Sequence, residues 1–325
     1  MELNKNTSAL PSGLRLPRFS VQTYFPVLLL VVLCAVFGSQ SDRFLTSQNF
    51  AIVLQQTVVL LVVALGMTFV IIAGSIDLSV GSIVALSSLM AASASQQLGV
   101  WAIIPAAIVG TLGGLLNGLI FAKGKVPSFM VTLGTLVAFR GIVLFFTRGA
   151  PVEITNREFL FVFSGRTGGI PNSAIFAAIL VIITYVILNH TVFGRHIRAI
   201  GGGERVAVLT GIKVERVKLL MFTLLGLLCG IGGLLQSARV YAATAQLGVG
   251  LELDVIAAVV VGGTPLTGGV GSIQGTILGA FITTILSNGM NMMGVDPYLQ
   301  NIVQGIVLVL AVFITIDRSK IGIIK

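Results

Sequence analysis

The chain has 325 residues, 55% of them hydrophobic and only 10% charged, with a net charge of +9 and a mean hydropathy of +1.03. A soluble domain of this length needs a charged shell that this composition cannot supply, which excludes soluble enzymes and soluble binding modules. Nucleic acid is not the expected partner of the positive charge, because the basic residues are distributed as membrane orientation requires.

In chain order, residues 1–23 form a polar N-terminal segment with Lys5, Arg15 and Arg18, and no cleavable signal pattern is expected in it. Ten apolar spans follow, roughly Tyr24–Gly38, Phe50–Ala73, Ser79–Ser95, Val100–Ala122, Val126–Thr147, Ala174–Leu188, Val217–Ala238, Glu252–Gly263, Gly268–Asn288 and Tyr298–Ile316. Runs such as Val58 to Ile72 and Ile302 to Ile316 do not alternate polar with apolar residues, so helices rather than barrel strands are predicted. The expected fold is an all-α polytopic membrane protein with about ten spans, eight being the other even number that fits, and some of them short or broken. The third span is rich in Ser and Ala, and the eighth is short enough to be a half-helix. Residues 24–316 form one membrane domain, and 317–325 a C-terminal tail.

Lys and Arg in short loops set orientation. With the N-terminus inside, fourteen of the 20 basic residues fall on the inner side: Lys5, Arg15, Arg18, Lys123, Lys125, Arg195, Arg198, Arg205, Lys213, Arg216, Lys218, Arg318, Lys320 and Lys325. Only Arg43, Arg148, Arg157 and Arg166 fall outside, while Arg140 and Arg239 lie within spans. Both termini are therefore expected in the cytoplasm. Arg140 needs a carboxylate or carbonyl partner at its depth. Cys34 and Cys229 sit in apolar spans and read as small hydrophobes rather than a disulfide or metal pair.

Asp77 lies in Ala73-Gly74-Ser75-Ile76-Asp77-Leu78-Ser79-Val80-Gly81, between two spans with little room for a loop. Two readings stand. In one, the carboxylate lines a permeation route at a helix break; in the other, it caps or braces the following helix. Residues considered for the path or break are Ser75, Asp77, Ser79, Phe129, Thr264 and Asn288. Glu252 and Asp254 suit a helix N-terminus and read as structural. The stretch Val261-Gly262-Gly263-Thr264-Pro265-Leu266-Thr267-Gly268-Gly269-Val270-Gly271 cannot be continuous helix. It is also not a phosphate cradle, because no Lys-Ser/Thr follows Gly271, and the glycines before Lys125 have the wrong spacing. Val80-Gly81-Ser82-Ile83 recurs as Val270-Gly271-Ser272-Ile273, a hint of internal duplication. No nucleophile–base set or metal-ligand cluster is evident, so no cofactor and no catalysis are expected.

The inner loop 189–216 carries a glycine-framed amphipathic segment from Phe193 to Ile212. It reads either as a basic loop against anionic lipid or as a docking helix for a cytoplasmic partner. Gly194, Arg195, Arg198, Gly201, Glu204 and Gly211 are its candidate contact and framing residues.

From about Asn49 onward the chain resembles the permease subunits of bacterial ABC importers for ribose, galactose, xylose and related monosaccharides. The resemblance is carried by Gly66-Met67-Thr68-Phe69-Val70, Ile76-Asp77-Leu78-Ser79-Val80-Gly81-Ser82, Ala122-Lys123-Gly124-Lys125-Val126, Thr132-Leu133-Gly134-Thr135 and Arg140-Gly141. Further carriers are Arg148-Gly149-Ala150-Pro151-Val152, Thr191-Val192-Phe193-Gly194-Arg195, Thr210-Gly211-Ile212, Leu251–Thr264 and Ser287-Asn288-Gly289. Ser75 departs from the Gly-Gly that usually precedes Ile-Asp in that family. The resemblance implies a bacterial inner-membrane homodimer bound to two cytoplasmic ABC ATPase subunits, with a periplasmic sugar-binding protein delivering substrate and loop 189–216 as the coupling segment. Permeases for branched-chain amino acids, nucleosides or a sugar-like signal molecule are the alternatives within the superfamily. An ion-coupled secondary transporter using Asp77 is the alternative outside it.

Overall fold

The computed structural model describes residues 21–315, with side chains from Phe25 to Phe313. The basic residues at 5, 15, 18, 318, 320 and 325, and most of the two terminal tails, lie outside the described residues. The chain is a helical membrane bundle built from α1 (Val21–Gln40), α2 (Ser47–Ile72), α3 (Val80–Leu98), α4 (Ile103–Gly124), α5 (Ser128–Thr147), α6 (Arg157–Ser164) and α7 (Asn172–His190). It continues with α8 (Val192–Gly202), α9 (Glu204–Leu209), α10 (Val214–Val240), α11 (Leu251–Val261), α12 (Ile273–Met292) and α13 (Pro297–Thr315). Each of the ten expected spans falls on one of these helices. The ninth begins later than expected: Gly268–Ser272 is irregular, and α12 starts at Ile273 under a Ser272 cap whose hydroxyl accepts the Gly275 N–H at 3.0 Å. The apolar, Gly-rich composition runs on past the helix start, which is why the boundary is blurred in the sequence.

In lipid there is no hydrophobic force to push helices together, so close packing of small residues has to do it. The centre of the bundle shows this. Helix α10 is surrounded by α2, α3 and α4. Gly110 faces Gly226 and Gly230, Gly114 faces Phe222 and Gly226, and Gly118 faces Leu219 and Phe222. The falling register makes α4 and α10 antiparallel, and at Gly110, Gly114 and Gly226 an added Cβ would strike the partner's backbone. Gly233 abuts α3 in the same way, and Gly66 of α2 abuts Leu225 and Leu228. Around this core, Leu28, Ile108, Val137, Phe146, Ile182 and Val309 present bare apolar surface, as lipid-facing positions should.

Helices α8 and α9 lie at one end, the basic end, with Lys123, Lys125, Arg195, Arg205, Lys213 and Arg216. At the opposite end, the 148–173 segment contains the amphipathic α6, with Phe159 and Phe163 buried against Phe176. Two short antiparallel pairs close that region: β1 (Val152–Glu153) with β4 (Ala242–Ala243), and β2 (Arg166–Thr167) with β3 (Ile170–Pro171).

The α4–α10 seam yields a direct prediction. Gly226→Val should destabilise the purified protein by about 3 kcal/mol or more, because backbone cannot yield as a side chain can. Gly134→Val, where a Cβ meets nothing within 4 Å, should be nearly neutral. Thermal unfolding in detergent measures both.

Candidate functional site

Three features could serve transport: a pair of helix breaks, a helix that touches both, and polar cavities at the opposite end. The breaks share one closing geometry. At the end of α2, the Gly74 N–H donates to Ile71 O (2.9 Å) and the Ser75 N–H to Val70 O (3.0 Å), with Gly74 at φ +74°. At the end of α11, the Gly263 N–H donates to Val260 O (2.9 Å) and the Thr264 N–H to Val259 O (3.2 Å), with Gly263 at φ +91°. Both glycines supply the left-handed turn that ends a helix. The connections that follow differ in length, residues 73–79 against 262–272. Val80-Gly81-Ser82-Ile83 therefore begins α3, whereas Val270-Gly271-Ser272 precedes α12. The repeated helix ending, not the repeated tetrapeptide, is what the two breaks have in common.

Asp77 is fully buried in the first break. Its Oδ1 accepts the Ser79 N–H at 2.7 Å and the Ser79 hydroxyl at 2.6 Å, while the Asn117 amide donates to Ser79 Oγ at 2.7 Å. Hydroxyls of α5 take two further amides: Ser128 Oγ accepts the Ile76 N–H (3.2 Å) and Thr132 Oγ1 the Leu78 N–H (3.0 Å). The break is thus pinned to α4 and α5 by Asn117, Ser128 and Thr132, of which the sequence marks only Thr132, as part of a motif. Ser75 and Thr264 are buried within the two breaks, and Asn288 exchanges amide hydrogen bonds with Asn49 at 3.1 and 3.2 Å. Phe129 is exposed at the start of α5. The structure brings Ser75, Asp77 and Ser79 together, and holds Thr264, Asn288 and Phe129 in separate places.

The breaks meet each other and α8. The Gly269 N–H donates to Ile72 O at 2.8 Å. Gly201, near the end of α8, sits so close to Ile72 O and Gly269 N that a Cβ would collide with both. Deeper in the membrane, the Thr68 and Thr276 hydroxyls lie 2.6 Å apart, joining α2 to α12. Helix α8 is seated by Ile197 and Ile200, by Phe193 stacked on Phe69 (6.3 Å), and by Gly194 against the end of α7. Arg198 anchors the same corner, donating to Leu188 O at 2.9 Å and Asn189 Oδ1 at 2.8 Å. Glu204 pairs with Lys218 at 2.7 Å, Arg195 is exposed, and Gly211 turns at φ +84°. Val206, Val208 and Leu209 of α9 are left exposed beside them.

Two adjoining cavities at the other end of the bundle measure about 310 Å³ and 370 Å³. The first is lined by Gln56 of α2, Gln236 and Arg239 of α10, Asp254 of α11, and Thr283, Thr284, Ser287 and Asn291 of α12. Val249, Asp254 and Thr283 line both. The segment that carries Val249 is held by Arg140, whose guanidinium donates to Ala245 O and, at 2.7 Å, to Leu247 O. Those carbonyls are the partners that an arginine at this depth demands. Gln56 and Gln236 are polar interruptions of apolar helices, which is the one signal the sequence offers for this cavity.

Asp77→Ala should cost about 1–3 kcal/mol by stripping the Ser79 N–H and hydroxyl of their acceptor. Asp77→Asn keeps that acceptor and should unfold near the wild-type temperature. Thermal unfolding of the two variants separates a hydrogen-bonding brace from a requirement for charge.

The family described as branched-chain amino acid transport system / permease component matches residues 49–312. Ribose import permease protein RbsC of Escherichia coli (strain K12) is 40% identical over 300 residues, covering 90% of this chain and 93% of the relative. Its namesake in Bacillus subtilis (strain 168) is 42% identical over 304 residues, covering 92% and 94%. Xylose transport system permease protein XylH of Escherichia coli (strain K12) is 35% identical over 368 aligned positions, covering 93% of each. No solved structure matches the chain.

Proposed function

The chain belongs to this permease-component family of ABC importers, and on that premise we propose that it forms the membrane pathway for a ribose- or xylose-like monosaccharide, powered by a separate cytoplasmic ATPase. The observation that carries the energy-coupling part is the seat of Gly201. A helix at the basic end rests on the α2 carbonyl that opens one break and on the glycine turn of the other. Any displacement of α8 must move both breaks, because backbone packed on backbone has no slack. Segment 189–216 is then the ATPase-coupling loop. Exposed Val206, Val208 and Leu209 offer the apolar contact, with Arg195 and Glu204 at its polar rim, while Gly194, Arg198, Gly201 and Gly211 fix the fold of the loop. The phosphate-cradling sequence that ATP binding needs is missing from this chain, which fits a partner that supplies hydrolysis.

The excess of Lys and Arg at the α8 end supports placing that end, with both termini, in the cytoplasm. The cavities at the opposite end then face the periplasm, where a sugar-binding protein delivers substrate. A second copy of the chain completes the assembly, with Phe129 and the apolar face of α5 available to it or to lipid. In this reading the Ser75–Asp77–Ser79 brace and Thr264 keep the two breaks in register, and Asn288 ties α12 to α2.

The double variant Val206→Asp, Leu209→Asp tests the docking surface without touching the core. In the reconstituted transporter, ATP hydrolysis stimulated by the loaded binding protein should fall at least tenfold, with membrane insertion and thermal stability unchanged. Normal stimulated hydrolysis would remove α9 from the interface.

A further inference from the structure

The cavity between α2, α10, α11 and α12 has an unusual electrostatic feature. Arg239 and Asp254 both line it, yet they form no ion pair, and the one side-chain ion pair among the described residues is Lys218–Glu204. Gln56 and Gln236 project into the same space. Among the described residues, none of these four half-buried head groups makes a side-chain hydrogen bond. None of these head groups is sealed from solvent, so the four line a water-accessible cavity of about 310 Å³ in which they can exchange water for the hydroxyls of a solute.

The donor and acceptor set selects among solutes. Each sugar hydroxyl both donates and accepts, so a monosaccharide presents alternating partners around its ring. Asp254 is acceptor-only and can hold two hydroxyls, Arg239 is donor-only, and the two glutamine amides are both. Thr283 and Thr284 add hydroxyls on the α12 side, with the Thr283 hydroxyl already donating to Gly279 O at 3.0 Å and so free to accept. We infer that this cavity is a sugar-binding station within the permease, with Asp254 and Arg239 gripping a neutral polyol between them and Gln56 and Gln236 setting its orientation. Asp254 and Thr283 also line the adjoining 370 Å³ cavity, where Asn301 and Gln304 stand. Val249, Asp254 and Thr283 thus form the wall the two chambers share, and Asp254 is its charged member.

This inference rests on the sugar-permease reading above, and the first measurement is chosen to separate the two. The complete wild-type transporter, with its ATPase and binding protein, is reconstituted in liposomes and assayed for ATP-driven uptake of ribose, xylose and valine. Uptake of valine but neither sugar overturns both readings. With sugar uptake established, Asp254→Asn is expected to lower sugar moved per ATP hydrolysed at least tenfold. Unchanged uptake per ATP overturns the station. A second measurement stands if that variant fails to assemble. Val249→Cys, made in a Cys34→Ser background, places a thiol in the wall shared by the two cavities. Saturating ribose or xylose should slow its maleimide labelling at least threefold, and valine should not. Equal labelling with and without sugar, or protection by valine alone, overturns the assignment.

Discussion

Everything in this bundle depends on glycine allowing backbone to touch backbone. Helices in lipid gain little from burying apolar side chains, since the tails around them are as apolar as leucine. The α4–α10 seam solves this with Gly110 and Gly114 set against Gly226 and Gly230, an approach that brings main-chain dipoles and Cα–H groups of two helices into contact. The same device recurs where α11 meets α12, at Gly262 against Gly275 and Ala258 against Gly279. It appears a third time where Gly201 meets Ile72 and Gly269. The same kind of contact that holds the bundle together joins α8 to the two breaks.

That joint gives the two helix breaks a shared fate. Each break ends a helix through a left-handed glycine, and each leaves backbone groups that need partners inside the membrane. The first is satisfied by Asp77, Ser128 and Thr132, and the second in part by Ile72 of the first. A helix seated on both is in a position to act on both. The cavities lie at the far ends of the same helices, α2, α11 and α12, and in the proposed mechanism a shift at the joint is carried along these helices to them.

Much of the architecture is legible in the sequence because lipid imposes a coarse code: apolar runs of fixed length, basic loops on one side, and Gly or Pro where helices stop. The helical class, the spans from α1 to α13 and the irregular stretch after Val261 follow from that code. The family is legible from the motifs around Asp77, Thr191 and Leu251. What escapes is whatever depends on residues far apart in the chain. The cavity draws residues from near positions 56, 236, 254 and 284, and nothing local marks them as neighbours. Asp254 reads as an acidic helix start, which it also is, and only the packing of α12 turns it inward. Asn117 and Ser128 are ordinary polar residues until the first break is folded against them. The short α6 is hidden because its eight residues sit in a loop of mixed charge.

The central claim is that ATPase closure reaches the membrane through α8 and alters both breaks together. Hydrogen–deuterium exchange of the assembled transporter, trapped with ATP and compared with its nucleotide-free form, reads this directly. The account predicts that exchange changes in residues 73–79 and 264–272 in concert, and that Gly201→Val removes the change at both. Nucleotide-dependent exchange at only one of the two segments, or at neither while uptake proceeds, would contradict it.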